Sequence, residues 1–135
     1  MTSKIIYEGG LRTRMTHLQS RTVVLSDAPT DNHGKGEAFS PTDMVATSLG
    51  SCMISLMGIK LKQQGRDEEL VGAEAEITKV MYSEPRRIGE IKAVIKFPKN
   101  NFSEKDKIIL ENTARTCPVA LSIHPDIKQD IKFVW

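Results

Sequence analysis

The longest apolar segment of the chain, from Ser40-Pro41 to about Gln64, places the strongest limit on how the protein folds. Ser40 is a favourable N-cap, proline suits the first helical position, and Gly65 is a typical C-terminal stop, so the segment predicts one long helix. Its first half carries apolar residues on most sides, with only small polar residues between them. These apolar residues are Met44, Val45, Ala46, Leu49, Cys52, Met53, Ile54, Leu56 and Met57. A helix of this composition is expected to be buried on most of its faces.

Short β-prone segments precede this helix. They alternate apolar with polar residues or are rich in β-branched residues, and Gly9-Gly10 is typical of a tight turn between two of them. The three segments are residues 5–7, 11–17 and 21–25. Residues 26–40 are rich in Asp, Asn, Gly and Pro, and they predict a loop of a length more typical of functional loops than of plain connections. We expect an antiparallel meander followed by this loop.

The part of the chain after the long helix alternates between strands and helices. The predicted elements are strands over residues 70–82, 88–97 and 130–135 and a helix from about 103 to 117. Ser103 with Asp106 resembles a capping box, and Pro118 can begin a new short helix. The fold class is therefore predicted as α+β, a single domain over residues 1–135 with antiparallel sheets around a long, buried central helix.

Composition and charge exclude several classes of function. A chain of 135 residues suits one domain, and 39% hydrophobic with 27% charged residues is typical of a globular protein. The formal net charge of +2 is too small to indicate nucleic-acid binding. We expect no apolar segment long enough to cross a bilayer, and residues 1–8 have no apolar signal-peptide core. We therefore expect a cytoplasmic protein that binds neither nucleic acid nor membranes.

The two cysteines are the residues best suited to chemistry. In a reducing compartment a structural disulfide is not expected, which leaves inert core residues, metal ligands or redox residues as interpretations. The three histidines are far apart in sequence and no Cys-x-x-Cys or His-x-x-x-His spacing occurs, so a metal site is the weakest of the three. A catalytic Cys–His pair stays open, because such partners meet in space rather than in sequence.

The two cysteines differ in their local setting. Cys52 lies inside the long helix, more than two turns from its N-terminus, where nothing local stabilises a thiolate. Cys117 precedes Pro118 and can therefore lie at the N-terminus of the following short helix, whose dipole would favour a thiolate. Local electrostatics alone thus predicts that Cys117 is the more reactive thiol.

Four short motifs together resemble a known family: GGLR at residues 9–12, SPTD at 40–43, ATSLGSC at 46–52 and TCPV at 116–119. In this order they resemble the OsmC/Ohr proteins, the osmotically inducible and organic hydroperoxide resistance proteins, over nearly the whole chain. The resemblance implies the OsmC-like fold, an intertwined homodimer in which sheets wrap two long central helices.

The resemblance also implies thiol peroxidase chemistry that needs no metal or organic cofactor. Cys52 would attack the hydroperoxide as a thiolate and become a sulfenic acid, which Cys117 would capture as an intramolecular disulfide. A small dithiol or a lipoyl-bearing protein would then reduce this disulfide. Arg12 falls on the activating arginine of the family, and Asp43 or Glu37 would hold it.

Two alternatives stay open from the sequence. Strand alternation places Arg14 on the same side as Arg12, so either arginine is a candidate for activating Cys52. The chain is also interpretable as a non-catalytic, ligand-binding or redox-sensing protein of the same fold, or as one whose cysteines are purely structural. Peroxide turnover that depends on Cys52 would separate the first interpretation from the others.

Overall fold

The computed structural model describes residues 1–135 as six strands, three α-helices and two short 3-10 helices, which confirms the α+β class. The elements follow in the order β1 (Ser3–Gly9), β2 (Arg12–His17), β3 (Val23–Asp27), α1 (Pro41–Lys62), β4 (Glu74–Ser83), β5 (Arg86–Lys96), α2 (Glu104–Arg115), α3 (Pro118–Ser122) and β6 (Lys128–Val134). The 3-10 helices cover Thr30–Asn32 and Asp67–Leu70. The chain divides into two compact units, residues 1–45 and 46–135.

The first unit is built on a three-stranded antiparallel sheet in the order β1-β2-β3. Gly9 and Gly10 make the β1–β2 turn with φ of 86° and 57°, conformations that glycine adopts without a Cβ penalty. β2 and β3 pair so that Arg12 lies directly opposite Asp27. The predicted meander is confirmed, although β3 ends at Asp27 rather than at Leu25.

Strand β1 is exposed along its whole length in the single chain. Ile5, Ile6 and Tyr7 are all exposed, although side-chain alternation directs neighbouring residues to opposite faces of the sheet. Apolar side chains of β1 are therefore exposed on both faces of the sheet.

The second unit contains a mixed sheet in the order β4-β5-β6. β4 and β5 are antiparallel, as predicted, but β6 pairs with β5 in parallel. The expectation of purely antiparallel sheets is therefore wrong for the last strand. The reason is the connection between β5 and β6, which contains α2 and α3, because a helical crossover lets the chain return to the starting edge and pair in parallel.

Helix α1 buries one stripe of side chains rather than most of its surface. The buried residues recur at helical spacing and are Ala46, Leu49, Gly50, Met53, Met57 and Leu61. At Gly50 an added Cβ would lie 2.6 Å from Cδ1 of Ile77, so glycine permits the close approach of β4. Ile59 is 55% exposed. The expectation of a helix buried on most faces is not met within the single chain, because the core of the second unit lies along one face only.

The expectation that no segment is apolar enough to cross a membrane is wrong, because α1 is long enough and apolar enough to do so. Helix α1 contains a window with a mean hydropathy of 1.5, and only 33% of that window is buried in the chain. Its charged residues cluster at the ends, at Asp43, Lys60 and Lys62, and leave the middle uncharged. A core helix of a globular protein can have the same length and composition, so this property alone assigns no membrane span.

Candidate active site

Helix α1 and the start of α3 position the two cysteines of the second unit. Cys52 follows the buried residues Leu49 and Gly50 by less than one turn and is partly exposed. Cys117 is the N-cap of α3, with extended backbone at φ −65° and ψ 150° because the following Pro118 disfavours helical geometry before it. Its side chain is fully buried. Both cysteines are free thiols.

The thiols of Cys52 and Cys117 lie close enough together for the Cys52 thiol to affect the pKa of Cys117. The pKa of Cys117 is raised, first because burial removes water from the thiolate and further because the Cys52 thiol lies beside it. The backbone N–H of Ala120 donates to Sγ of Cys117 at 3.4 Å and opposes this rise. The short helix was expected to favour a Cys117 thiolate, but burial outweighs the helix N-terminus and raises the pKa of Cys117 instead.

This arrangement suits a pair in which the two sulfurs have different tasks. Cys52 is the thiol that solvent reaches, whereas Cys117 is buried and its pKa is raised above the ordinary value of a thiol. An oxidised Cys52 would meet the Cys117 sulfur directly beside it, and the two could then join as a disulfide. The reverse order would require an oxidant to reach the fully buried sulfur first.

Arg12 is the centre of an ionic cluster in the first unit. Its Nε donates to Oδ1 of Asp27 at 2.7 Å and its Nη2 donates to Oδ2 of Asp27 at 2.8 Å. The same Nη2 donates to Oε2 of Glu37 at 2.8 Å. Both carboxylates raise the pKa of Arg12, with Asp27 contributing most, so Arg12 is a permanent cation.

Asp27 is the site residue that the sequence analysis missed. It is 1% exposed, and its pKa is lowered chiefly by the Arg12 hydrogen bond. The strand register could have identified it. An antiparallel pairing that places Thr16 opposite Val23 also places Arg12 opposite Asp27. The predicted strand ended at Leu25, because aspartate is unfavourable in strands and is typical of a loop. The pairing of Asp27 with Arg12 was therefore not predicted.

The other predicted candidates have different positions. Arg14 pairs with Glu8 and has neither of the carboxylates that hold Arg12. Asp43 caps α1: its Oδ2 accepts from the N–H of Ser40 at 2.9 Å, and its own N–H donates to Ser40 Oγ at 3.1 Å. Of the two acids proposed to hold Arg12, Glu37 does so, and Asp43 serves the helix start.

The structure thus brings Cys52 together with Cys117 in one unit, and Arg12 together with Glu37 and Asp27 in the other. No group of three or more His, Cys, Asp or Glu side chains is arranged to hold a metal ion.

A family model described as OsmC-like protein matches residues 34–132. A solved structure from Psychrobacter arcticus, of a proposed osmotic stress induced and detoxification response protein, is 50% identical with a TM-score of 0.92, covering 98% of this chain and 95% of that one. No curated protein matches the chain.

Two more distant structures share the fold. The organic hydroperoxide resistance protein OsmC of Legionella pneumophila is 15% identical with a TM-score of 0.71, covering 100% of this chain and 98% of that one. The organic hydroperoxide resistance protein OhrB of Bacillus subtilis is 15% identical with a TM-score of 0.61, covering 98% of each chain. At this identity the likeness shows the fold alone.

Proposed function

Because the chain belongs to the OsmC-like family, we propose that it is a cysteine-based peroxidase that reduces organic hydroperoxides with a dithiol as electron donor. The observation that carries the proposal is the proximity of two free thiols, the partly exposed Cys52 and the buried Cys117. The names of the two organic hydroperoxide resistance proteins with the same fold support the choice of substrate.

In the proposed cycle the Cys52 thiolate attacks one oxygen of the hydroperoxide O–O bond. The bond breaks, the second oxygen leaves as the alcohol after taking a proton, and Cys52 becomes a sulfenic acid. The Cys117 sulfur then attacks the Cys52 sulfur, which forms the disulfide and releases water. Two thiol–disulfide exchanges with a small dithiol or a lipoyl group restore both thiols and leave the donor oxidised.

Arg12 is the residue proposed to stabilise the Cys52 thiolate. A nearby cation favours the charged form of a thiol, and the middle of α1 has no cation of its own. Its acidic partners Asp27 and Glu37 keep the guanidinium ordered. In this role Arg12 lowers the barrier to the first attack and takes no part in the later exchanges.

A homodimer is the proposed working form. The exposed strand β1 and the partly exposed faces of α1 are apolar surfaces that a second copy of the chain would cover. We expect size-exclusion chromatography with light scattering to give twice the monomer mass of 15.1 kDa. A stable monomer at micromolar concentration would contradict this.

The decisive test is steady-state turnover of cumene hydroperoxide and hydrogen peroxide with dithiothreitol or dihydrolipoamide as donor. The wild type should consume peroxide, Cys52→Ser should abolish turnover, and Cys117→Ser should accumulate sulfinic acid at Cys52, seen by mass spectrometry. Ser51→Ala, an exposed neighbour on the same helix, is the matched control and should retain activity. A wild type that consumes neither peroxide would refute the function and leave a redox sensor or ligand-binding protein.

A further inference from the structure

The two carboxylates that hold Arg12 differ in burial and in the segment that carries them. Asp27 is 1% exposed and belongs to β3, whereas Glu37 is 64% exposed and belongs to the loop between β3 and α1. A buried group on a hydrogen-bonded strand keeps one position, while an exposed side chain on a loop exchanges readily with solvent. The two acids therefore have unequal control over the guanidinium.

Only Asp27 fixes the plane of the guanidinium. It accepts two parallel hydrogen bonds, from Nε and from Nη2 of Arg12. This bidentate geometry fixes the orientation of the guanidinium plane. Glu37 accepts a single hydrogen bond from Nη2 and leaves rotation about it free.

Asp27 is itself held in place from several directions. Its backbone lies opposite Arg12 in the β2–β3 register, and its N–H donates to the carbonyl of Phe39 at 3.2 Å. Its Oδ2 accepts the backbone N–H of Glu37 at 3.1 Å. The carboxylate is thus tied both to the neighbouring strand and to the loop.

The two acids occupy three of the five N–H donors of Arg12. A guanidinium has five N–H donors, of which Nε and both hydrogens of Nη2 are taken by the two acids. The cluster of one cation and two anions carries a net negative charge, so Glu37 weakens the field that Arg12 would exert on a thiolate.

We propose that Asp27 is the positioning residue of Arg12, fixing the orientation of the guanidinium for its proposed role at the reacting thiol, and that Glu37 is an exchangeable partner that moderates the charge of Arg12. The inference rests on the proposed role of Arg12 in activating Cys52. It gives the two acids opposite effects on that thiol, although both are carboxylates in contact with the same guanidinium.

The first test measures the rate of Cys52 alkylation by iodoacetamide across pH in a Cys117→Ser background. Asp27→Asn should slow alkylation at pH 7 about 3- to 10-fold and move the profile to higher pH, because the cation loses its position. Glu37→Gln should speed alkylation about 2- to 3-fold, because it removes a negative charge. Glu8→Gln breaks the Arg14 pair of the same sheet and should change nothing. Faster alkylation in both Asp27→Asn and Glu37→Gln would overturn the proposal, since it would mean that both acids act only by neutralising the charge of Arg12.

A second set of variants shows whether Asp27 acts through Arg12. In an Arg12→Met background, Asp27→Asn should cause no further slowing, whereas an additive effect would mean that Asp27 acts by another route. Arg12→Lys keeps the charge but not the fork, so it should slow alkylation nearly as much as Arg12→Met. Because Arg12→Lys leaves Asp27 paired with a cation, it still tests the bidentate contact if Asp27→Asn does not fold.

A third measurement keeps the inference separate from the proposed function. The Nε–H signal of Arg12 in nitrogen-15 NMR should exchange slowly with solvent in the wild type and in Glu37→Gln, and fast in Asp27→Asn. If Arg12→Met leaves Cys52 alkylation unchanged, the proposed activation by Arg12 fails, while the Nε–H signal still decides whether Asp27 holds the arginine. A slowly exchanging Nε–H in folded Asp27→Asn would overturn the positioning role.

Discussion

The thiol of Cys52 lies beside that of Cys117 and raises its pKa, although Cys52 lies within α1 and Cys117 immediately before α3. The contact joins an accessible thiol to a buried one. In the proposed function an oxidant from solvent would therefore meet Cys52 before the buried Cys117.

Alkylation should distinguish the two thiols at pH 7. We expect iodoacetamide to modify Cys52 at least about 10-fold faster than Cys117, because Cys117 is buried and its raised pKa keeps it protonated. Peptide mass spectrometry over time gives both rates. In urea the two rates should become similar, and faster labelling of Cys117 in the folded protein would contradict the arrangement.

Stability should fall at high pH through Cys117. Its folded pKa is raised, so above about pH 8.5 the unfolded thiol loses its proton while the folded one retains it. The unfolded state then binds fewer protons, and the free energy of unfolding decreases as pH rises until the folded thiol also ionises. Urea titrations from pH 7 to 10 should show a steeper loss for the wild type than for Cys117→Ser, and equal slopes would argue against the buried thiol.

Stability at low pH should depend on the pair of Arg12 and Asp27. The pKa of Asp27 is lowered in the folded protein, so the pair stabilises above about pH 4 and this contribution is lost as pH falls through the folded value. Asp27→Asn should therefore lose less stability than the wild type between pH 5 and about pH 2. The control Glu8→Gln should follow the wild type, and a wild-type acid slope in Asp27→Asn would refute this contribution.

Two glycines of α1 should respond in opposite directions to alanine. Gly50→Ala should destabilise the protein by about 1–3 kcal/mol, because its Cβ would lie 2.6 Å from Ile77 and 3.3 Å from Ala75. Gly58→Ala should stabilise it by about 0.5–1 kcal/mol, because its Cβ would meet only Leu70 at 3.6 Å and alanine favours helix. Denaturant unfolding gives both values.

A compensating change tests the cause of the Gly50 effect. Ile77→Val removes the Cδ1 atom that the new methyl group would meet, so it should recover part of the stability lost in Gly50→Ala. Additive losses in the double variant would mean that the contact with β4 is not responsible.

Local sequence signals predicted the element boundaries well where a single residue determines the conformation. Ser103 and Asp106 form the predicted capping box, Pro118 begins α3 with Cys117 as its N-cap, and Gly65 has φ of 67° shortly after α1. Each of these depends on atoms within a few residues, so the chain encodes them without reference to the rest of the fold.

Contacts between distant segments required the tertiary structure. The parallel pairing of β6 depends on how a crossover returns to the sheet, and the choice of Asp27 over Asp43 beside Arg12 depends on strand register. Neither is a property of a short stretch of sequence.

The sequence by itself determined the α+β class, the long helix, both candidate thiols and the arginine near the start of the chain. Only the tertiary structure decided which acids hold Arg12 and which thiol solvent reaches. The physical reason is the same in both cases: burial and pairing act through neighbours in space. For Cys117, burial raises the pKa where a helix N-terminus alone would have lowered it.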